Sequence, residues 1–368
     1  MTDPFRERTR RLQQRLLGED VAGAVLFPSP NLFYLTGFWE EPMERHLLLF
    51  LPATGDPVFV APDLYATQLR AETWIETVET YPDGADPLEI VTEVGTGLGM
   101  DDGIIRLDPT MWARFSLDLA GAFPEATFEL LEDQMASLRM RKGDAELDRL
   151  AAASEAADEV MGAVRDLGAD AVGMTESDLA RWIRDALLER GDAVSFEPVV
   201  GSGPNGAKPH HRHGDRTIRA GDPVVLDIGV RLDRYPSDTT RTVVFGDEPP
   251  ADFEQAHAVV ERAQAAAVDA VEPGVTAESV DETARAIIEE AGYGEAFVHR
   301  TGHGVGLDVH EPPYIVEGND LELEPGMVFS VEPGIYLEGS FGVRIEDLVV
   351  VTDSGARRLN DSPRTWRC

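Results

Sequence analysis

Cysteine is almost absent from this chain: Cys368 stands alone. Without a second thiol there is no disulfide framework, which fits a reducing cytoplasm. Lysine is nearly missing as well, with Lys142 and Lys208 the only two, so arginine carries nearly all the positive charge. No window approaches the roughly 18 apolar residues of a membrane span. The opening MTDPFRERTRRLQQRL also lacks the apolar stretch of a secretory signal. These absences predict a soluble cytoplasmic protein with no membrane partner.

Positive charge as a whole is scarce: 68 acidic residues against 32 basic ones give a formal charge of −36. That balance excludes nucleic acid as a partner, since a polyphosphate needs a basic face. The carboxylates are spread along the chain rather than gathered in a tail, and apolar runs lie between them, so acidic disorder is excluded too. Such a surface predicts a very salty cytoplasm, where a Debye length of about 3 Å at molar ionic strength suppresses self-repulsion.

What is present argues for two domains, because 368 residues exceed a usual single core. Residues 1–131 alternate helical and strand patterns: a helix near 4–18, then VAGAVLF, HLLLFLP and PVFVAP, a helix near 62–72, GIIRLD, a helix near 111–120, and ATFELL. This is a small α/β domain. The second domain, 132–368, opens with helical periodicity from Glu132 to about Val164 and from Thr175 to Arg190, with Thr175 and Ser177 as candidate caps. Beyond Phe196 strands dominate, interrupted by helices near 252–271 and 277–291. The predicted fold class is α+β. GSGPNG at 201–206 fits a dinucleotide fingerprint, but Pro209 and a polar turn follow where a helix must open, so the motif is set aside.

Carboxylates carry the stronger signal. In VVLDIGVRLDRYPSDTTRTVVF, Asp227 interrupts one apolar run and Asp238 opens the next. A hairpin turning between Leu232 and Asp233 would set them opposite each other on one face; the alternative is an edge strand with solvated aspartates. In MVFSVEPGIYLEGSFGVRIEDLVVV, a hairpin with Gly339 near its apex pairs Glu332 with Glu346. Four buried carboxylates at close range cannot all ionise without a cation. Arg344 is one candidate, and two divalent ions would balance the four outright. A neutral imidazole would complete the shell, and His303 is the best offered.

Asp227 and Asp238 in LDIG and YPSDTTRT, His303 in TGHGVGLDVHE, Glu332 in SVEPGIY and Glu346 in VRIED resemble, in order and spacing, the metal site of the pita-bread metallopeptidases. That superfamily includes X-Pro aminopeptidases, prolidases, methionine aminopeptidases and creatinase. NLFYLTGF at 31–38 and LRMRKGDAELDRL at 138–150 are similar to the X-Pro branch's N-terminal domain and interdomain helix, which sets the methionine aminopeptidases aside. The resemblance implies a creatinase-type α/β domain at 1–131 and a pita-bread catalytic domain at 132–368. It implies that Asp238 and Glu346 bridge two divalent ions, that Asp227 chelates one, and that His303 and Glu332 hold the other. An oxygen-rich set with one imidazole suits Mn²⁺ first, with Co²⁺, Fe²⁺ or Zn²⁺ as alternatives.

The implied reaction is hydrolysis of X-Pro bonds, in dipeptides or at the N-terminus of short peptides, by a metal-bridging hydroxide with Glu332 shuttling the proton. An X-Pro bond has no amide N–H and a restricted ring, so it needs a pocket of its own. By resemblance His310 donates to the developing oxyanion, His299 lines the prolyl pocket, and His210 contacts substrate beside the less clear His211 and His213. Arg344 would support the bridging carboxylate or a substrate carboxylate. Tyr235 and Arg241 are scaffold. A homodimer acting on short proline-containing peptides is implied. Two other readings stay open: a lyase or creatinase-like hydrolase on the same scaffold, or a silent binding module. Retention of all five ligands counts against both.

Overall fold

The computed structural model describes residues 3–368, and the chain divides into two compact units between Arg139 and Met140. In the first, helix Pro4–Gly18 starts where the Asp3 carboxylate accepts the Phe5 N–H and Pro4 opens the first turn. A proline there loses no helical hydrogen bond. A mixed six-stranded sheet runs in the order Thr77–Tyr81, Val58–Pro62, Leu48–Pro52, Gly23–Leu26, Asp102–Leu107, Glu125–Leu130. The predicted strands are all here.

Three elements of this unit left no clear period in the sequence. Helix Pro30–Thr36 is buried on nearly every side, so it has no polar stripe; Ser29 caps it through the Leu32 N–H, and Gly37 closes it at φ 80°. Strand Thr77–Tyr81 exposes Thr77 and Glu79 and buries only Val78 and Tyr81. Helix Pro87–Gly97 packs so tightly that a Cβ on Gly95 would lie 2.3 Å from the Phe123 ring.

The helical stretch expected from Glu132 to Val164 is two helices, Glu132–Arg139 and Asp144–Asp166. The break has a physical cause. Gly143 is extended and gives its N–H to the Glu146 carboxylate, while the Lys142 N–H goes to the Gly326 carbonyl and Arg141 bridges Met327. Thr175 caps Glu176–Leu188 in a reciprocal box with Asp178, whereas the Ser177 hydroxyl lies 3.1 Å from His213 Nδ1.

In the second unit, helices Asp144–Asp166 and Glu176–Leu188 cover strands Val199–Ser202, Pro223–Ile228 and Thr239–Val244 through Val224, Leu226, Ile228 and Val243. Each such side chain, fully buried, contributes about 1.5–3 kcal/mol. Helices Phe253–Asp269 and Ala277–Glu290 cover a second sheet through Phe329, Val331 and Val349. Because strands alternate faces, packing Leu226 and Ile228 under helices turns Asp227 to the other side. The glycines of GSGPNG serve close packing: a Cβ on Gly203 would sit 2.7 Å from the Arg216 guanidinium and one on Gly206 3.0 Å from the Gly201 carbonyl oxygen.

Candidate metal centre

Two hairpins deliver the carboxylates. In the first, Asp227 pairs with Thr240 and Leu232 with Tyr235, so the turn is Asp233–Arg234, at φ 47° and 76°. This corrects the turn expected between Leu232 and Asp233. Both turn residues take the left-handed conformation that matches strand twist in a two-residue loop, and that moves the register. Asp238 is therefore the diagonal neighbour of Asp227 on the same face, not its direct partner. In the second hairpin, Gly334 pairs with Arg344 and Leu337 with Phe341 about Gly339, at φ 76°, as the sequence predicts. Val331 pairs with Asp347 in the same register, which sets Glu332 against Glu346.

Neither glutamate bonds the other's backbone. The Glu332 N–H donates to Thr301 O at 2.8 Å, beside the strand of His303, and the Glu346 N–H to Thr240 O at 3.1 Å, on the strand facing Asp227. The hairpin thus splits at this point to join both neighbouring sheets, and the acidic side chains meet there.

Ligand atoms of Asp227, Asp238 and Glu346 lie within 4.8 Å of one another, as do those of His303, Glu332 and Glu346, and those of Asp238, His303 and His310. All line a cavity of about 880 Å³ with Phe196, His210 and Val309. His303 Nε2 is 3.2 Å from Glu332 and 3.7 Å from Asp238, while its Nδ1 faces the Gly304 carbonyl at 3.2 Å. A proton on Nδ1 would satisfy that carbonyl and leave Nε2 as a lone-pair ligand.

The four carboxylates cannot share full charge. Burial, then Glu346 and Asp227, pushes Asp238 well above the ordinary carboxylate range; burial, then Glu332 and Asp227, does the same to Glu346. Asp227 is also raised by burial, against the pull of Arg344. Glu332 goes the other way: burial opposes ionisation, but the hydrogen bond and charge of His303 hold it at about 2. Asp227 Oδ1 is buried and has no hydrogen-bond partner among the described residues. An unpartnered carboxylate oxygen among acids that repel one another fits a hard divalent cation.

The remaining predicted residues fall in three places. His310 stands exposed at the cavity, its ring centroid 3.9 Å from that of His303; the surrounding protein, then His303 and Arg300, pull it down to about 4. His210, His211 and His213 all line the cavity, with His211 also 2.8 Å from Glu176 and His213 3.2 Å from Glu197. His299 lies behind the lining, with Nε2 2.9 Å from the Tyr336 hydroxyl. Arg344 contacts Asp227 at 2.5 Å rather than Glu346, and reaches Glu346 only through the Thr240 hydroxyl.

Tyr336 escaped the sequence reading. Its hydroxyl takes a hydrogen bond from Arg344 at 3.1 Å, so it joins His299 to the guanidinium that holds Asp227. The signal was the glycines around it: a Cβ on Gly334 would lie 2.7 Å from its hydroxyl, and one on Gly342 3.1 Å from its ring. Tyr235 and Arg241 are scaffold, bonded to Glu146 and to Asp347.

The model of the metallopeptidase family M24 matches residues 148–353, and that of the creatinase/prolidase N-terminal domain matches 8–141. A protein described as probable dipeptidase PepE, from Mycobacterium tuberculosis, is 44% identical over 347 residues, covering 93% of this chain and 91% of its own. An Xaa-Pro dipeptidase of Lactobacillus delbrueckii is 37% identical over 350 residues, covering 93% and 94%. Among solved structures, a prolidase from Thermococcus sibiricus superposes with a TM-score of 0.93 at 39% identity, over 99% of both chains. A creatinase-type N-terminal domain, a pita-bread domain and matches of this extent place the chain in metallopeptidase family M24.

Proposed function

We propose that the protein is an X-Pro dipeptidase that works with two divalent ions held by Asp227, Asp238, His303, Glu332 and Glu346. The observation that carries this reading is the convergence of four carboxylates, two buried and two half-buried and three of them raised above their ordinary range, around an Asp227 oxygen with no hydrogen-bond partner among the described residues. The relatives described as Xaa-Pro dipeptidase and prolidase support the substrate class.

Bound divalent ions supply Lewis acidity, bringing the pKa of a coordinated water toward neutrality. The protein's own groups do the rest. Glu332, ionised and 3.2 Å from His303, accepts the proton of the attacking water and carries it to the prolyl nitrogen. His310, low enough to be neutral at pH 7, donates an N–H to the carbonyl oxygen as its charge develops. His299, braced by Tyr336, and His210 at the lining shape the prolyl pocket, and Arg344 fixes Asp227. Manganese is the metal to supply first, and a homodimer is the proposed assembly.

The test is hydrolysis of Ala-Pro, Ala-Pro-Ala and Ala-Ala with Mn²⁺, in molar KCl to suit the −36 charge, with EDTA as control. Cleavage of Ala-Pro alone, abolished by EDTA, is expected. Cleavage of the tripeptide as well would move the reading to an aminopeptidase, and no cleavage by metal-loaded protein would end the peptidase reading.

A further inference from the structure

We infer that Lys142 and Glu311 form a buried positioning pair that holds His310 in the cavity, so that a lysine outside the cavity lining sets the rate of the reaction. The inference rests on the role given to His310 above. Lys142 Nζ lies 2.9 Å from Glu311 Oε1, with the two side chains 1% and 6% exposed, in a chain that contains only one other lysine.

Glu311 directly follows His310 and opens strand Glu311–Ile315. Between His303, opposite Tyr314, and Gly304, opposite Glu311, the ladder slips, and residues 305–310 form a loop. The Glu311 carboxylate sits inside that loop. A Cβ on Gly306 would lie 2.3 Å from Glu311 Oε1, so only glycine lets the backbone wrap so closely, and the Asp308 N–H points at Oε2 from 3.4 Å. Gly306 N–H closes the loop on the Asp308 carbonyl at 3.0 Å.

The other half of the pair is fixed independently. The Lys142 N–H bonds Gly326 O at 2.8 Å, and its ammonium also reaches Met140 O at 3.3 Å. A buried ion pair adds little net stability, but withdrawing its cation raises the cost of keeping the carboxylate where it is. The response open to Glu311 is to shift away from the position the ammonium holds, and His310 is its immediate neighbour. The pair is therefore expected to act on where His310 stands, not on the ions.

The experiment uses the full chain and Lys142→Met, which keeps the aliphatic stem and removes the charge. With Ala-Pro and Mn²⁺, kcat should fall at least tenfold with KM and bound metal within twofold of the parent. In a His310→Ala background the same change should alter kcat by less than twofold. Independent multiplication of the two losses would overturn the inference, as would a parent-like kcat in Lys142→Met. A second readout does not depend on activity: the imidazole ¹H–¹⁵N signal of His310 in metal-free protein, assigned by its loss in His310→Ala, should shift in Lys142→Met, and an unmoved signal would also overturn it. Should Lys142→Met not fold, Lys142→Met/Glu311→Leu removes both charges; it should fold and still show the kcat loss and the shifted signal, and parent values would refute the pair's role. A parent inactive on Ala-Pro with a signal that still shifts would sink the peptidase reading and leave the positioning intact.

Discussion

Glu346 and Asp347 are neighbours in sequence, both are buried, and they are opposites. Asp347 faces away from the cavity into guanidinium groups: Arg241 at 2.8 Å, Arg358 at 3.2 Å and Arg364 at 2.5 Å, with the Gln264 amide at 2.8 Å. Burial alone would raise it, but Arg241 and Arg364 hold it below the ordinary range. Glu346 faces the cavity, where burial and then Glu332 and Asp227 push it up. A buried acid whose partners are all protein is scaffold. A buried acid whose neighbours are other acids is built for something that binds.

The contrast is broken most severely by deleting a cavity acid. Asp238→Ala or Glu346→Ala should abolish binding of at least one metal and lower kcat/KM by about 10³-fold or more, a transition-state loss of about 4 kcal/mol. Metal content of dialysed protein and Ala-Pro turnover check this, and a fully active variant would end the two-ion reading.

Next is the scaffold side. Asp347→Asn leaves three arginines facing an amide and should cost about 3–5 kcal/mol in urea unfolding, with the metal-free protein as sensitive as the loaded one. A cost below about 1 kcal/mol would erase the distinction drawn between the two acids.

A third buried group, His257, has the Glu261 carboxylate nearby, 3.9 Å from Nδ1. Its Nε2 has no hydrogen-bond partner among the described residues, and burial pulls the imidazole down to about 4. The unfolded chain takes up this proton near pH 6.5 and the folded one refuses it, so stability is lost as pH falls from about 6.5 to 4, by about 3 kcal/mol in all. His257→Leu should flatten that part of the urea-midpoint curve.

The smallest effect has the opposite sign. In metal-free protein Asp238 and Glu346 titrate above their unfolded values, so their contribution is present below the ordinary carboxylate pKa and is lost as pH rises through the raised ones. Glu346→Gln should weaken this decline and leave the metal-free protein as stable as the parent or slightly more so at pH 7, while Mn²⁺ stabilises only the parent strongly. Thermal melts with and without EDTA from pH 4 to 8 check both statements.

Legibility followed the range of the interactions. A hairpin is local, so Gly339 and the pairing of Glu332 with Glu346 could be read from spacing and turn chemistry. The Asp227 hairpin was legible in kind but not in register, because the choice of Asp233–Arg234 as turn residues depends on two left-handed conformations that the alternation of apolar residues does not encode. The Lys142–Glu311 pair was invisible for another reason: its two members lie 169 positions apart, and nothing in a local window announces a contact that only the packed fold creates. For Tyr336 the flanking glycines hinted at close packing, but its link to His299, 37 positions away, was equally out of local reach. Helix Pro30–Thr36 was missed because it is buried all round, so the period that reveals a surface helix is absent.

The split of the second hairpin at Glu332 and Glu346 also bears on how the protein is made. Glu346 is the last of the five candidate ligands to leave a ribosome, it shares two of the three close groupings, and its N–H is bonded to Thr240, more than a hundred residues earlier. A nascent chain that has made Asp227, Asp238 and His303 still lacks a member of two of the three groupings. On the proposed two-ion reading, capture of the ions is thereby deferred until the second unit is nearly complete, and a truncated chain carries no finished centre with which to cut a peptide.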